Sequence, residues 1–318
     1  MRIFWFKTRS IPNGRSLRDR LAAMPRYRLL PGIAGFALLL QVAACGAPEH
    51  EELRGSLYFA AGNYLALLDL RDGSTSVVAN LGDADIRSLS PQLEDRLLLT
   101  VYGNENNRET RNLVLYDLAS RQTLTLLHGH IGYYLPGTMT LVFDDGVRIY
   151  VTERIQGDWE KTEVIEHSYN QGVDIVPIAA TRFIYRVADG PLYVYDKVAG
   201  RSIELRGLGS TCRFERALWF AEREQMLCQL RHEGESMQYA FVGLDGTVHE
   251  DVSLPSSRDL RPLAFLPDQD VLILTERWRG GLADRVRWAV WVYRFDSGEA
   301  YRLLDDQHLG EHVSYARD

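Results

Sequence analysis

Beyond residue 55 the chain alternates short apolar runs with clusters of turn-forming residues, and almost no stretch has a helical period. Runs rich in Val, Ile, Leu, Tyr and Phe, bounded by Gly, Asp, Asn and Ser, predict strands throughout, so the expected class is all-β. The segments YLALLDLRDGSTSVV (64–78), LVLYDLASRQTLTL (113–126), LYVYDKVAGRSIEL (192–205), YAFVGLDGTVHEDV (239–252) and VWVYRFDSGEAYRL (290–303) share one design. Each is an apolar strand, a tight turn, then a strand with polar alternation. Asp69, Asp117 and Asp196 stand at one place before the turn, where a carboxylate accepts from turn N–H groups. Gly73, Gly200, Gly246 and Gly298 follow it and give the turn its permissive backbone.

Spacing turns this repeat into an architecture. Gly73 and the matching Arg121 are 48 residues apart, Gly200 and Gly246 are 46 apart, and Gly246 and Gly298 are 52 apart. The 79 residues from Arg121 to Gly200 leave room for a divergent copy around 147–167. Six units result, each close to the ~40–45 residues of a four-stranded propeller blade. A second repeated piece precedes each hairpin, at 86–102, 139–154, 175–187, 217–230 and 262–276, and is expected to supply the two inner strands. The first unit has a single such strand, SLYFAA (56–61), and HVSYA (312–316) is available to complete it from the far end of the chain. Runs such as Leu97-Leu98-Leu99 and Val271-Leu272-Ile273-Leu274 fit strands covered on both faces, as in stacked blades. The expectation is a six-bladed β-propeller over 55–318, closed by the C-terminal strand; a five- or seven-bladed ring or another β-fold is the alternative. Ser90-Pro91 with Gln92-Leu93-Glu94-Asp95-Arg96, and Pro267-Asp268 with Val271-Leu272-Ile273, resemble the Ser-Pro-Asp-Gly repeat of TolB-like propellers. That resemblance spans the chain after the N-terminal segment, implies the architecture, and carries no partner with it.

The N-terminus has a different character. A basic stretch ending Arg26-Tyr27-Arg28 precedes the apolar run 29–42, too short for the roughly 20 residues of a membrane span. Val42-Ala43-Ala44-Cys45-Gly46 follows and resembles the lipobox of bacterial lipoproteins. The resemblance implies a signal peptide over 1–44, cleavage before Cys45, and diacylglycerol and palmitate on Cys45, which together anchor stably where one acyl chain does not. Met24 is a better start than Met1 for such a signal, since 1–23 is long for its basic region. Gly46, where aspartate would signal inner-membrane retention, points to the outer membrane facing the periplasm. Residues 45–54 read as a lipidated tether.

Charge narrows the partners. Residues 1–44 hold eight basic side chains and one acid, so the remainder keeps 28 of the 36 basic and 42 of the 43 acidic groups, a charge near −14. A body that acidic repels nucleic acid. The expected partners are the membrane, through the lipid, and an envelope protein or polysaccharide. No zinc-protease, nucleophile-elbow or phosphate-loop motif is present, so no catalytic or metal set is assigned and no cofactor is expected. The reading is a non-catalytic binding scaffold; the alternative is an envelope hydrolase or lactonase working at the channel mouth. In a propeller, the connections between blades share one face with the loops between middle strands. That face gathers Asp83 and Asp85, His128 and His130, Arg258 and Asp259, and His308 and His312, with the long loops 103–110 and 278–285. Trp278, expected in the latter loop between two arginines, suits a protein contact. Cys212 and Cys228 could pair in an oxidising envelope, but a turn near Glu222–Glu224 sets Cys228 opposite Leu218, so two separate thiols are expected first and a disulfide is the alternative.

Overall fold

A computed structural model of the chain describes residues 53–90, 95–105, 108–155, 158–169, 171–231, 238–255, 260–280, 285–306 and 313–316. They form six four-stranded antiparallel sheets. Blade one contains β1 (Ser56–Ala61), β2 (Tyr64–Asp69) and β3 (Thr75–Asn80), with β24 (Val313–Ala316) as its innermost strand. Blade two is β4 (Asp85–Leu89), β5 (Arg96–Glu105), β6 (Arg108–Asp117) and β7 (Gln122–His128). Blade three is β8 (Ile131–Tyr134), β9 (Leu141–Asp144), β10 (Arg148–Ile155) and β11 (Asp158–Glu166). Blade four is β12 (Val173–Ala179), β13 (Arg182–Val187), β14 (Tyr193–Asp196) and β15 (Arg201–Glu204). A short helix, α1 (Arg206–Thr211), leads into blade five: β16 (Cys212–Phe220), β17 (Gln225–Leu230), β18 (Tyr239–Val242) and β19 (Val248–Val252). Blade six is β20 (Leu260–Leu266), β21 (Val271–Gly280), β22 (Arg285–Arg294) and β23 (Ala300–Asp306). The chain is thus a six-bladed propeller, and its C-terminal strand pairs with β1, Ser56 to Phe59 lying against Ala316 to Val313.

The continuous apolar runs have a direct explanation in the packing. Successive side chains of a strand point to opposite faces, and each face of a blade meets a different neighbour. Leu97 and Leu99 pack with Ala60 and Leu65 of blade one, while Leu98 packs with Phe143 of blade three. Val271 and Ile273 likewise join Leu57 and Phe59, and Leu272 and Leu274 join Phe220 and Phe241. Every blade-to-blade junction, including that between blades six and one, has its own buried apolar cluster. A fully buried leucine or phenylalanine contributes about 1.5–3 kcal/mol, so the ring is held by six separate cores and none occupies its axis.

The turns follow the sequence reading. Asp69 accepts from Arg71 N–H at 2.9 Å, Asp117 from Ser120 N–H at 2.7 Å, and Asp196 from Val198 N–H at 2.9 Å. Arg121 takes the left-handed φ of 58° that Gly73 and Gly200 take at 67° and 61°.

Three expectations need correction. In blade three the piece 139–154 supplies the second and third strands, because the innermost strand is Ile131–Tyr134. The long loops are mostly strand: β5 and β6 stay paired to Glu105–Arg108, and β21 and β22 to Gly280–Arg285, so Trp278 lies in β21 opposite Arg287. Cys212 and Cys228 form a disulfide, Cα to Cα 5.8 Å, both buried. A bulge between Arg213 and Ala217 accounts for it: Cys228 is opposite Ala217, yet Cys212 is already opposite Leu230.

Candidate functional site

The antiparallel order gives the ring two ends. One receives the a–b and c–d turns of each blade; the other, here the connection end, receives the blade-to-blade connections and the middle hairpins. At the connection end a row of polar side chains crosses blades two and three. It starts at Asp85, the first residue of β4, paired with Arg87 at 2.8 Å. Arg87 lies over the ring of Tyr102 on β5, its guanidinium carbon 5.3 Å from the centroid, and Arg111 of β6 lies 4.8 Å from the same centroid. Cation–π contacts of this kind hold two guanidinium groups beside one ring. Glu109 neutralises Arg111 at 3.0 Å.

Arg111 then reaches His130, with Nη1 at 2.9 Å from Nδ1 and 3.1 Å from Nε2. A guanidinium only donates, so this contact is satisfied by a neutral imidazole that accepts. Burial lowers the pKa of His130 and the Arg111 charge lowers it further, against weaker opposing pulls from Asp144, Asp145 and Glu109. The ring packs onto Gly146, where an added Cβ would stand 2.4 Å from His130 Cε1 and where φ is +99°. Only glycine fits both conditions.

Asp144, at the end of β9, closes the row. Its Oδ1 accepts from Gly146 N–H at 2.9 Å and meets His167 Nε2 at 2.8 Å, while Oδ2 is 4.0 Å from His130 Nδ1. The side chains of Asp144 and His167 are each 3% exposed. The other nitrogen of His167 faces the Ser168 carbonyl at 3.0 Å. Both ring nitrogens of His167 therefore face oxygen atoms, one of them on a buried carboxylate. Tyr169, 64% exposed, stands edge-on to His130 with centroids 6.2 Å apart. The row thus runs from solvent at Asp85 to a buried carboxylate and back to solvent at Tyr169.

Of the residues singled out in the sequence, Asp85 and His130 belong to this row. Asp83 is exposed in the connection before β4, and His128, exposed at the end of β7, lies opposite Asn112. Arg258, Asp259, His308, His312 and Cys45 lie outside the described residues, as does the side chain of Trp278. Asp144 reads in sequence as a turn residue, which it also is. His167 follows the last strand of blade three, so the connection rule that picked out His130 reaches it when applied at the next junction. Among the described residues no group of three or more His, Cys, Asp or Glu side chains is arranged to hold a metal ion.

Fold and site together define a propeller of six four-stranded blades with a polar, half-buried row on its connection end. Among solved structures the chain is similar to TolB from Acinetobacter baumannii, with 14% identity over 83% of this chain and 67% of that one, TM-score 0.57. It is also similar to a chain of a nidogen/laminin complex, with 12% identity over 82% of this chain and 98% of that one, TM-score 0.55. Identities this low carry the fold alone. No protein-family model and no curated protein matches the sequence.

Proposed function

We propose that this protein is an envelope lipoprotein whose propeller is a non-catalytic scaffold, meeting a protein partner at its connection end. In this reading residues 1–44 are removed, Cys45 carries the lipid, 45–54 tether the domain to the outer membrane, and the propeller faces the periplasm. The observation that carries the binding role is the row from Asp85 to His167. It places two guanidinium groups, two imidazoles and two tyrosines on one end of a rigid ring, with the carboxylates that fix them already in place. Pre-organised side chains of this type lower the ordering cost of association. The Cys212–Cys228 disulfide supports export, since such bonds persist in oxidising compartments. A propeller of this fold in a nidogen/laminin complex is in keeping with a protein partner. The hydrolytic alternative draws no support from the row, because His130 faces Arg111 where a nucleophilic hydroxyl or thiol would be needed.

Photo-crosslinking in cells tests the reading. A crosslinking residue at Tyr169 or Asp83 should capture one envelope protein, and Arg111→Ala should abolish the capture. The same probe at Val198, 81% exposed in a c–d turn at the opposite end, should capture nothing specific. Equal capture from both ends, or none from either, removes the support. Cys45→Ser should move the protein from the membrane to the soluble fraction; retention in the membrane rules out the lipid anchor.

A further inference from the structure

At the opposite end of the ring, between the same two blades, an open groove of about 400 Å³ spans the strands from Tyr134 of β8 to Leu124 of β7 and Trp159 of β11. Blade two supplies Arg96, Asp117, Gln122 and Leu124; blade three supplies Met139 and Trp159. Its size falls at the lower end of the ~300–1,000 Å³ of small-ligand sites. Two features set its chemistry. Leu124 and Met139 are 52% and 49% exposed, and with the half-buried Trp159 they form an apolar wall open to solvent. Beside it stands a fixed polar fork. Asp117 accepts from Ser120 N–H at 2.7 Å and Ser120 Oγ at 2.8 Å, and takes Arg96 Nε at 3.4 Å. This leaves the two terminal amino groups of Arg96, the Gln122 amide and the Trp159 indole N–H without a hydrogen-bond partner among the described residues.

We infer that this groove is a binding site for a neutral saccharide, separate from the connection end and from whatever docks there. A pyranose has an apolar C–H face and a belt of hydroxyls, and the groove sets the Trp159 indole beside the donors of Arg96 and Gln122. The Arg96–Asp117 pair is neutral as a unit, which favours an uncharged ligand over a phosphate or a uronate. The exposed Leu124 and Met139 side chains suit the methyl of an acetamido group, whose carbonyl can accept from the fork.

The full chain, purified in detergent, is titrated with the β-1,4-linked trimer of N-acetylglucosamine and with cellotriose, followed by tryptophan fluorescence and by saturation-transfer NMR. The acetylated trimer is expected to bind and to perturb the fluorescence, more tightly than cellotriose. Trp159→Ala and Arg96→Gln should each weaken it by about tenfold or more, and Trp159→Tyr, which keeps a stacking ring, should weaken it less. Leu124→Glu changes an exposed rim residue and tests the site without disturbing the core; it too should weaken binding. Binding by neither sugar overturns the inference, as does binding that Arg96→Gln and Leu124→Glu leave unchanged. A leucine-rich extended peptide that binds in the groove while both sugars are silent replaces it with strand docking.

Discussion

Replacing Asp144 by alanine tests the row at its most buried point. The side chain is 3% exposed and its Oδ1 satisfies two groups, Gly146 N–H at 2.9 Å and His167 Nε2 at 2.8 Å. Alanine leaves both donors buried without a partner. A buried donor left unsatisfied costs about 1–3 kcal/mol, so the two together cost roughly 2–6 kcal/mol, a large fraction of the roughly 5–15 kcal/mol by which domains are stable. With a urea slope of about 3 kcal/mol per molar, the unfolding midpoint should fall by about 0.7–2 M. Asp145→Ala is the matched control. Asp145 accepts from Val147 N–H at 3.0 Å and Arg148 N–H at 2.9 Å in the same turn but pairs with no histidine, so its loss should cost about 1 kcal/mol. Asp144→Asn keeps the accepting oxygen and removes the charge, and should fall between the two. The assay is urea unfolding followed by far-ultraviolet circular dichroism at neutral pH. A cost for Asp144→Ala no greater than for Asp145→Ala would refute the buried pair, and with it the description of the row as pre-organised.

Three further outcomes follow from the fold. Reducing the Cys212–Cys228 bond, which closes a separation of 16 residues, should lower stability by about 3 kcal/mol, read as the difference between melts of wild type with and without reductant; Cys212→Ala/Cys228→Ala should be insensitive to reductant. His130 has a folded-state pKa below its ordinary 6.5, so above that value both states are neutral and its contribution is complete. As pH falls through 6.5 the unfolded chain takes a proton that the folded one refuses, and stability drops until the folded pKa is reached; His130→Asn should flatten this part of the stability–pH curve, and an unchanged slope would show that His130 is not the group responsible. Deleting 312–318 removes β24, exposes the backbone edge of β1 and loosens the junction of blades six and one, so gel filtration should report an expanded or aggregating species and the melt should lose cooperativity.

How much of this was legible in the sequence depends on the range of the interaction. Blade number, strand order and ring closure rest on patterns internal to each repeat: Asp69, Asp117 and Asp196 before their turns, and apolar runs long enough to feed two neighbours. The disulfide was not legible, because it depends on a bulge between Arg213 and Ala217 that shifts the pairing of β16, and no turn residue marks it. The divergent third blade was placed one strand out, because its innermost strand, Ile131–Tyr134, is only four residues long and carries Gly132 in its middle. The row was half legible. Connection residues could be named by position, which found Asp85 and His130, but Tyr102 and Arg111 sit within strands whose alternation shows only that they are not core. Asp144, two residues before Gly146, has the sequence pattern of a turn residue, and its second role depends on His167, 23 residues away.

The two sites share a cause in the packing. Among the described residues the cluster joining blades two and three contains five buried apolar residues, Leu98, Leu113, Tyr134, Leu141 and Phe143, against twelve between blades six and one. At the connection end of this junction Arg111, His130 and Asp144 lie within reach of one another. At the other end the apolar wall stops short, and Leu124, Met139 and Trp159 border an open groove. A junction with less apolar burial is held more by directional contacts, which fix side chains in place but contribute less net stability than the area they displace. Binding surfaces need fixed, partly exposed polar groups, and in a ring of six similar junctions those groups can be accommodated only where the apolar core is thin. Both proposed sites lie at the junction of blade two with the divergent third blade, where the sequence departs from its own repeat.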